Sequence, residues 1–164
     1  MKENVTIAMI STAAALAGVL ISQAISLLLS FFDKRHQKQK LLRQKYEEMM
    51  FHFQDSLSYP NQVASCRTLD QLLLQTHSVP AQRAMGLALL YFPTLAPFLR
   101  VYIQTCIAYY LLITSVYDPE IPASAGAQAR VHSSEFILVE NNLFKAKDDT
   151  LKAIDSNAKK YTKA

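Results

Sequence analysis

Between Asn4 and Phe32 the chain runs for 29 residues without a formal charge or a proline: NVTIAMISTAAALAGVLISQAISLLLSFF. As a helix this stretch measures about 43 Å at 1.5 Å per residue, more than the roughly 30 Å hydrocarbon core of a bilayer. Its only strongly polar side chain away from the ends is Gln23. A cleaved signal peptide would have a shorter apolar core and a small-residue cleavage site leading into polar sequence. Here the best such site, Ser22-Gln23-Ala24, is followed by more apolar residues. A small soluble bundle would supply too few partners to cover so long a segment. The expectation is a transmembrane anchor over residues 1–32.

The run ends abruptly. Lys34, Arg35, Lys38, Lys40, Arg43 and Lys45 follow with no acid among them. These are six of the 17 Lys and Arg residues, so the remaining sequence holds 11 bases against 13 acids and is not basic. Positive charge is confined to one collar, whereas a nucleic-acid binder spreads it over a folded face with aromatics interleaved. No specific nucleic acid is expected. By the positive-inside rule the collar faces the cytoplasm, giving a single-pass protein of the plasma or inner membrane with its N-terminus outside. The six cations are expected to contact anionic lipid headgroups, each contributing about 1 kcal/mol near the surface. A basic juxtamembrane helix over 33–58 is expected to continue directly from the anchor.

Within the span, Ala14, Gly18, Ser22, Ser26 and Ser30 recur every four residues, with Ser11 and Ala15 on the same side and Gln23 at one margin. Ile10, Leu16, Leu20, Ile21, Leu27, Leu28 and Phe31 lie opposite. In lipid, small residues let backbones approach and hydroxyls or amides bond across the contact. Ala14, Gly18, Ser22, Gln23, Ser26 and Ser30 are therefore the expected surface for helix packing between copies of the chain, or for lining a hydrated pore.

Beyond residue 58 the pattern is helical throughout. Only Gly18, Gly86 and Gly126 occur, and few breakers favour helices over a turn-rich sheet. Apolar spacing at Leu42, Met49 and Phe53 carries the first helix toward Ser58-Tyr59-Pro60, where it stops. A second helix is expected over about 62–77 with Leu69, Leu72, Leu73 and Leu74 inward. Ser78 and Pro80 mark the start of a third, over about 80–117, which Pro93 and Pro97 kink or split. Between Ala84 and Tyr117 its only charge is Arg100. This segment reads as the central helix of a bundle or as a second membrane element; if buried, Arg100 is a bundle charge that must pair, with Asp70, Glu135 and Glu140 as possible partners. A Pro-rich loop at 118–126 precedes a last amphipathic helix over about 127–162. Ile137, Phe144, Leu151, Ile154, Ala158 and Tyr161 take heptad-like positions in it, a row interrupted by Glu140 and Lys147.

Nothing in the pattern advertises chemistry. His36, His52, His77 and His132 stand in different segments, and Cys66 and Cys106 fit neither a metal spacing nor a disulfide framework. His52 with Asp55 and His132 with Glu135 are i, i+3 pairs of low specificity as metal ligands. There is no HExxH, Cys-x-x-Cys or glycine-rich phosphate loop. The reading is an all-α protein without enzymatic function or cofactor. Its N-terminal transmembrane helix continues into a cytoplasmic bundle of three to four helices, over residues 59–164. The layout resembles that of small membrane effectors of bacterial anti-phage systems, by architecture rather than by motif. That implies a homo-oligomeric pore or permeability effector. The alternative is a non-conducting anchor whose bundle binds a cytoplasmic protein.

Overall fold

A computed structural model describes the backbone of residues 2–66, 68–116 and 134–162, and the side chains of 18–66, 68–116 and 134–161. The expected loop at 118–126, His132 and the side chain of Ala14 lie outside the described residues. Among the described residues six helices follow in chain order: α1 Lys2–Ser56, α2 Tyr59–Ser65, α3 Leu69–Leu73, α4 Val79–Tyr91, α5 Ala96–Ser115 and α6 Ser134–Thr162. No strand occurs among the described residues. The chain forms two compact units, one ending at Leu41 and one beginning at Leu42.

Local sequence explains most boundaries. Residues 2–56 contain no proline and only one glycine, so α1 runs unbroken for 55 residues. It ends in a turn where the N–H of Leu57 donates to the Gln54 carbonyl (3.1 Å) and that of Ser58 to the Asp55 carbonyl (3.3 Å). Pro60 then sits in the first turn of α2, where its missing N–H costs nothing. The Ser78 hydroxyl caps α4 by accepting from the N–H of Ala81 (3.3 Å), with Pro80 in its first turn. Pro93 lies between α4 and α5, and Pro97 opens α5, so the long third segment is divided rather than kinked.

The second unit is a helical bundle that includes the last turns of α1 from Leu42. Leu42, Tyr46, Met49, Phe53 and Ser56 alternate by four and three residues, the spacing of one helix face. All but half-buried Leu42 are buried. α5 is the central element, packing on α6, α4 and α2. Its inward row is Leu99, Tyr102, Cys106, Tyr109 and Ile113. α4 meets the core through Ala81, Ala84 and Ala88, small residues that permit close approach.

Two expectations are corrected. The stretch 62–77 is not one helix: α2 ends at Ser65 and α3 is a single turn and a half with Thr68 as its cap, accepting from the N–H of Gln71 (3.2 Å). Of its leucines only Leu72 is buried, while Leu69, Leu73 and Leu74 are exposed. On α6 the buried row is Phe136, Leu143, Ala146, Thr150 and Ala153 with Ile154, and Ile137 and Phe144 face outward. Glu140 and Lys147, the charges that interrupt the sequence row, are half-buried beside it. Over the first half of α6 the seam runs one residue earlier and accepts alanine and threonine in place of large residues, whereas the expected positions Leu151, Ile154, Ala158 and Tyr161 do pack on the core.

Among the described residues one helix, Ala96–Ser115, is long and apolar enough to cross a membrane, and 44% of it is buried inside the molecule. Apolarity on several sides is what a central bundle helix requires.

Candidate functional site

Among the described residues the surface of α1 over residues 18–32 is the most unusual. Every one of these residues is exposed. Val19, Leu20, Ile21, Ile25, Leu27, Leu28, Leu29, Phe31 and Phe32 are each between 52% and 73% exposed. By helical geometry Gly18, Ser22, Ser26, Ser30 and Gln23 share an arc of about 140°. The opposite arc carries Leu20, Ile21, Ile25, Leu27, Leu28, Phe31 and Phe32. Val19 and Leu29 intrude on the small side, so that side is mixed rather than purely polar. A Cβ built at Gly18 meets nothing within 4 Å, so its space is open to a neighbouring backbone. Thus the fold gathers Gly18, Ser22, Gln23, Ser26 and Ser30 on one side.

The collar divides into two sets. Lys34, Arg35, Lys38 and Lys40 are exposed and make no ion pair among the described residues. Arg43 Nε donates to Glu47 Oε1 at 3.0 Å, and Lys45 Nζ to Glu48 Oε2 at 2.7 Å. That hydrogen bond favours both charged forms, holding the Glu48 carboxyl below its ordinary value and the Lys45 ammonium above.

Arg100 is exposed, contrary to the expectation of a buried charge, and forms no ion pair with Asp70, Glu135 or Glu140. The reason is register. The inward row of α5 passes through Leu99 and Tyr102, and residue 100 is turned about 100° from Leu99, onto the solvent side.

Sequence reasoning missed the polar contacts that tie the bundle together, most of them made by tyrosines and one by the Thr150 hydroxyl, which donates to the Phe98 carbonyl at 3.3 Å. Tyr46 Oη donates to the Ile154 carbonyl at 2.5 Å, and its ring lies 5.4 Å from those of Phe92 and Tyr161. Burial pushes its hydroxyl up to about 12, with the Asp155 carboxylate adding to the shift. Tyr102 Oη donates to the Ser56 carbonyl (3.1 Å), satisfying an end of α1 from the middle of α5. Tyr59 Oη donates to the Gln75 carbonyl (2.7 Å), fixing the segment around α3. The heptad-like positions of Tyr46 and Tyr102 in apolar rows were the available signal, since a buried phenol needs an acceptor.

A cleft of about 230 Å³ opens beside this network, lined by Leu57, Asn61, Tyr102, Tyr109, Glu140 and Lys147 among others. It combines a carboxylate and an ammonium with a phenol raised by burial and by Glu140. Cys106 is buried and its thiol is pushed up to about 11 by that burial, which suppresses the reactive thiolate. Among the described residues no three His, Cys, Asp or Glu side chains converge as a metal site. His36 and His77 are exposed, and His52 is half-buried.

Comparison of the chain with protein-family models, with curated proteins and with solved structures finds no match.

Proposed function

We propose that the protein is a non-catalytic, homo-oligomeric membrane protein. Residues 4–32 span a cell membrane once with the N-terminus outside, the bundle lies in the cytoplasm, and the assembly alters membrane permeability as a pore. The exposed apolar surface of α1 carries this reading. The nine large side chains from Val19 to Phe32 present on the order of 1,000 Å² to the surroundings. Contiguous patches on soluble monomers stop at a few hundred Å². At about 25 cal/mol per Å², moving that area from water into hydrocarbon is worth roughly 25 kcal/mol.

Self-association rests on the small arc. In hydrocarbon the bulky side gains nothing by leaving lipid, whereas Gly18, Ser22 and Ser26 admit a second backbone and Gln23 offers an amide to bond across it. Copies related by rotation close into a ring. A hydrated lumen would then be lined by Ser22, Gln23, Ser26 and Ser30. Bacterial anti-phage defence is the setting the architecture suggests.

The second reading, a non-conducting anchor that recruits a cytoplasmic protein, is favoured by the bundle's own surface, where Leu74 is 82% and Leu90 77% exposed. Replacing residues 5–32 with a generic apolar span separates the two. A pore loses planar-bilayer conductance and its oligomer on that exchange. An anchor keeps its partner binding. Absence of any conductance from the wild-type protein, reconstituted as an oligomer, refutes the pore.

A further inference from the structure

We propose that the headgroup-binding element is only four residues, Lys34, Arg35, Lys38 and Lys40, and that its ligand is the anionic phosphate headgroup of bilayer phospholipids. This rests on the reading of residues 4–32 as a membrane span, and narrows it from a generally basic collar to a defined site. Pairing is the first argument. Arg43 and Lys45 already meet carboxylates one turn further on, at 3.0 and 2.7 Å, so Glu47 and Glu48 partly offset their charge. The four upstream cations are exposed and without ion pairs among the described residues, although Asp33 is adjacent in sequence.

Depth is the second argument. With Phe32 at the edge of the hydrocarbon, a rise of 1.5 Å per residue places the four Cα atoms about 3 to 12 Å beyond it. The headgroup layer of one leaflet is roughly 5–8 Å thick, and its field persists for a further ~8 Å in physiological salt. All four fall inside that zone, and their flexible stems extend the reach. Arg35 also brings the planar fork that grips a phosphate through two N–H donors.

Angular spread is the third argument. Lys34, Lys38 and Arg35 share an arc of about 100°, and Lys40 points to nearly the opposite side. A helix lying flat on a membrane carries its cations on one face. Cations on both sides suit a helix that passes through the headgroup layer and is surrounded by it. Free phosphate and nucleic acid offer the same chemistry, but only lipid places it directly beside the exposed apolar surface that ends at Phe32.

The test uses the full-length chain in neutral maltoside micelles, with native mass spectrometry counting retained dioleoylphosphatidylglycerol against dioleoylphosphatidylcholine. Wild type is expected to prefer phosphatidylglycerol. Each single neutralisation, such as Lys38→Gln, should lower its affinity about fivefold, the factor that corresponds to ~1 kcal/mol per cation. The quadruple Lys34→Gln, Arg35→Gln, Lys38→Gln, Lys40→Gln chain should lose the preference. A chain with arginine at the three lysine positions should keep it, and the Arg43→Gln, Lys45→Gln pair should change it less than twofold. Retention of the preference by the quadruple variant overturns the proposal. So does an equal loss in the Arg43, Lys45 variant, or displacement of phosphatidylglycerol by inorganic phosphate or a short oligonucleotide. Alkaline carbonate washing of cell membranes tests the span separately. If all variants stay in the membrane, a negative lipid result removes the four-residue site alone; if wild type is extracted, both readings fall.

Discussion

Phe51 and Phe53 lie two residues apart on the same helix and differ completely in environment, which makes them a sharp test of where α1 meets the bundle. Phe53 is fully buried, with its ring 5.2 Å from that of Tyr102 in an edge-to-face contact, whereas Phe51 is 65% exposed. Truncating a fully buried phenylalanine costs about 3–5 kcal/mol, the lost transfer energy plus a cavity that the surroundings only partly fill. The ring pair contributes about 0.5–1.5 kcal/mol of that. For a unit of this size each kcal/mol shifts the midpoint by roughly 4 °C. Phe53→Ala should therefore lower the Tm of the full-length protein in detergent by about 12–20 °C. Phe51→Ala, a surface change, should stay within about 2 °C. The readout is near-ultraviolet circular dichroism, which follows the packed tyrosines rather than the span. A double-mutant cycle with Tyr102→Leu should return a coupling of about 0.5–1.5 kcal/mol. Equal losses at positions 51 and 53, or a Phe53→Ala loss below about 1 kcal/mol, would refute the packing described for this end of α1.

Arg100→Leu is expected to alter stability by less than about 0.5 kcal/mol in chemical denaturation, because the side chain is exposed and unpaired among the described residues; a loss of several kcal/mol would mean that it is a buried pair after all. With a water-soluble maleimide at neutral pH, half-buried Cys66 should label in the native protein and Cys106 only on unfolding, since its thiol is buried and shifted to about 11. Gly18→Leu should reduce the oligomer seen by light scattering in detergent, while Leu28→Ile, on the bulky side, leaves it unchanged; the reverse pattern would move the contact to the other face.

The elements that the sequence placed correctly are those set by one-residue chemistry. Pro60, Pro80, Pro93 and Pro97 mark boundaries because a missing N–H and a fixed φ suit only the start of a helix or the gap between two. The all-helical class follows from so few glycines and such long unbroken stretches. Register was harder to read. On α6 the eye is drawn to Ile137 and Phe144, yet the buried seam runs through Leu143, Ala146 and Thr150. Hydrophobicity alone does not reveal that a closely packed face prefers small residues. Thr150 is satisfied there by donating to the Ala146 carbonyl at 2.7 Å, a bond invisible to a periodicity argument. The leucines at 69, 73 and 74 misled for a related reason: α3 is too short to give a repeating face, and a single turn and a half buries only Leu72. The burial of Arg100 was inferred from an uncharged neighbourhood, and one step of 100° along α5 undoes it. At the candidate site the exposed small and bulky arcs over residues 18–32 were visible as spacing. The division of the collar was not, because it depends on which carboxylates reach back to Arg43 and Lys45.

The claim on which the rest depends is that hydrocarbon, and not water, surrounds the bulky side of residues 4–32. Nitroxide labels placed singly at positions 20, 27 and 31 of the reconstituted full-length protein, with both native cysteines replaced by alanine, test it most directly. The account predicts that collisions with dissolved oxygen, which concentrates in lipid, exceed those with an aqueous nickel chelate at all three positions. Dominant collisions with the chelate at position 20 would contradict it.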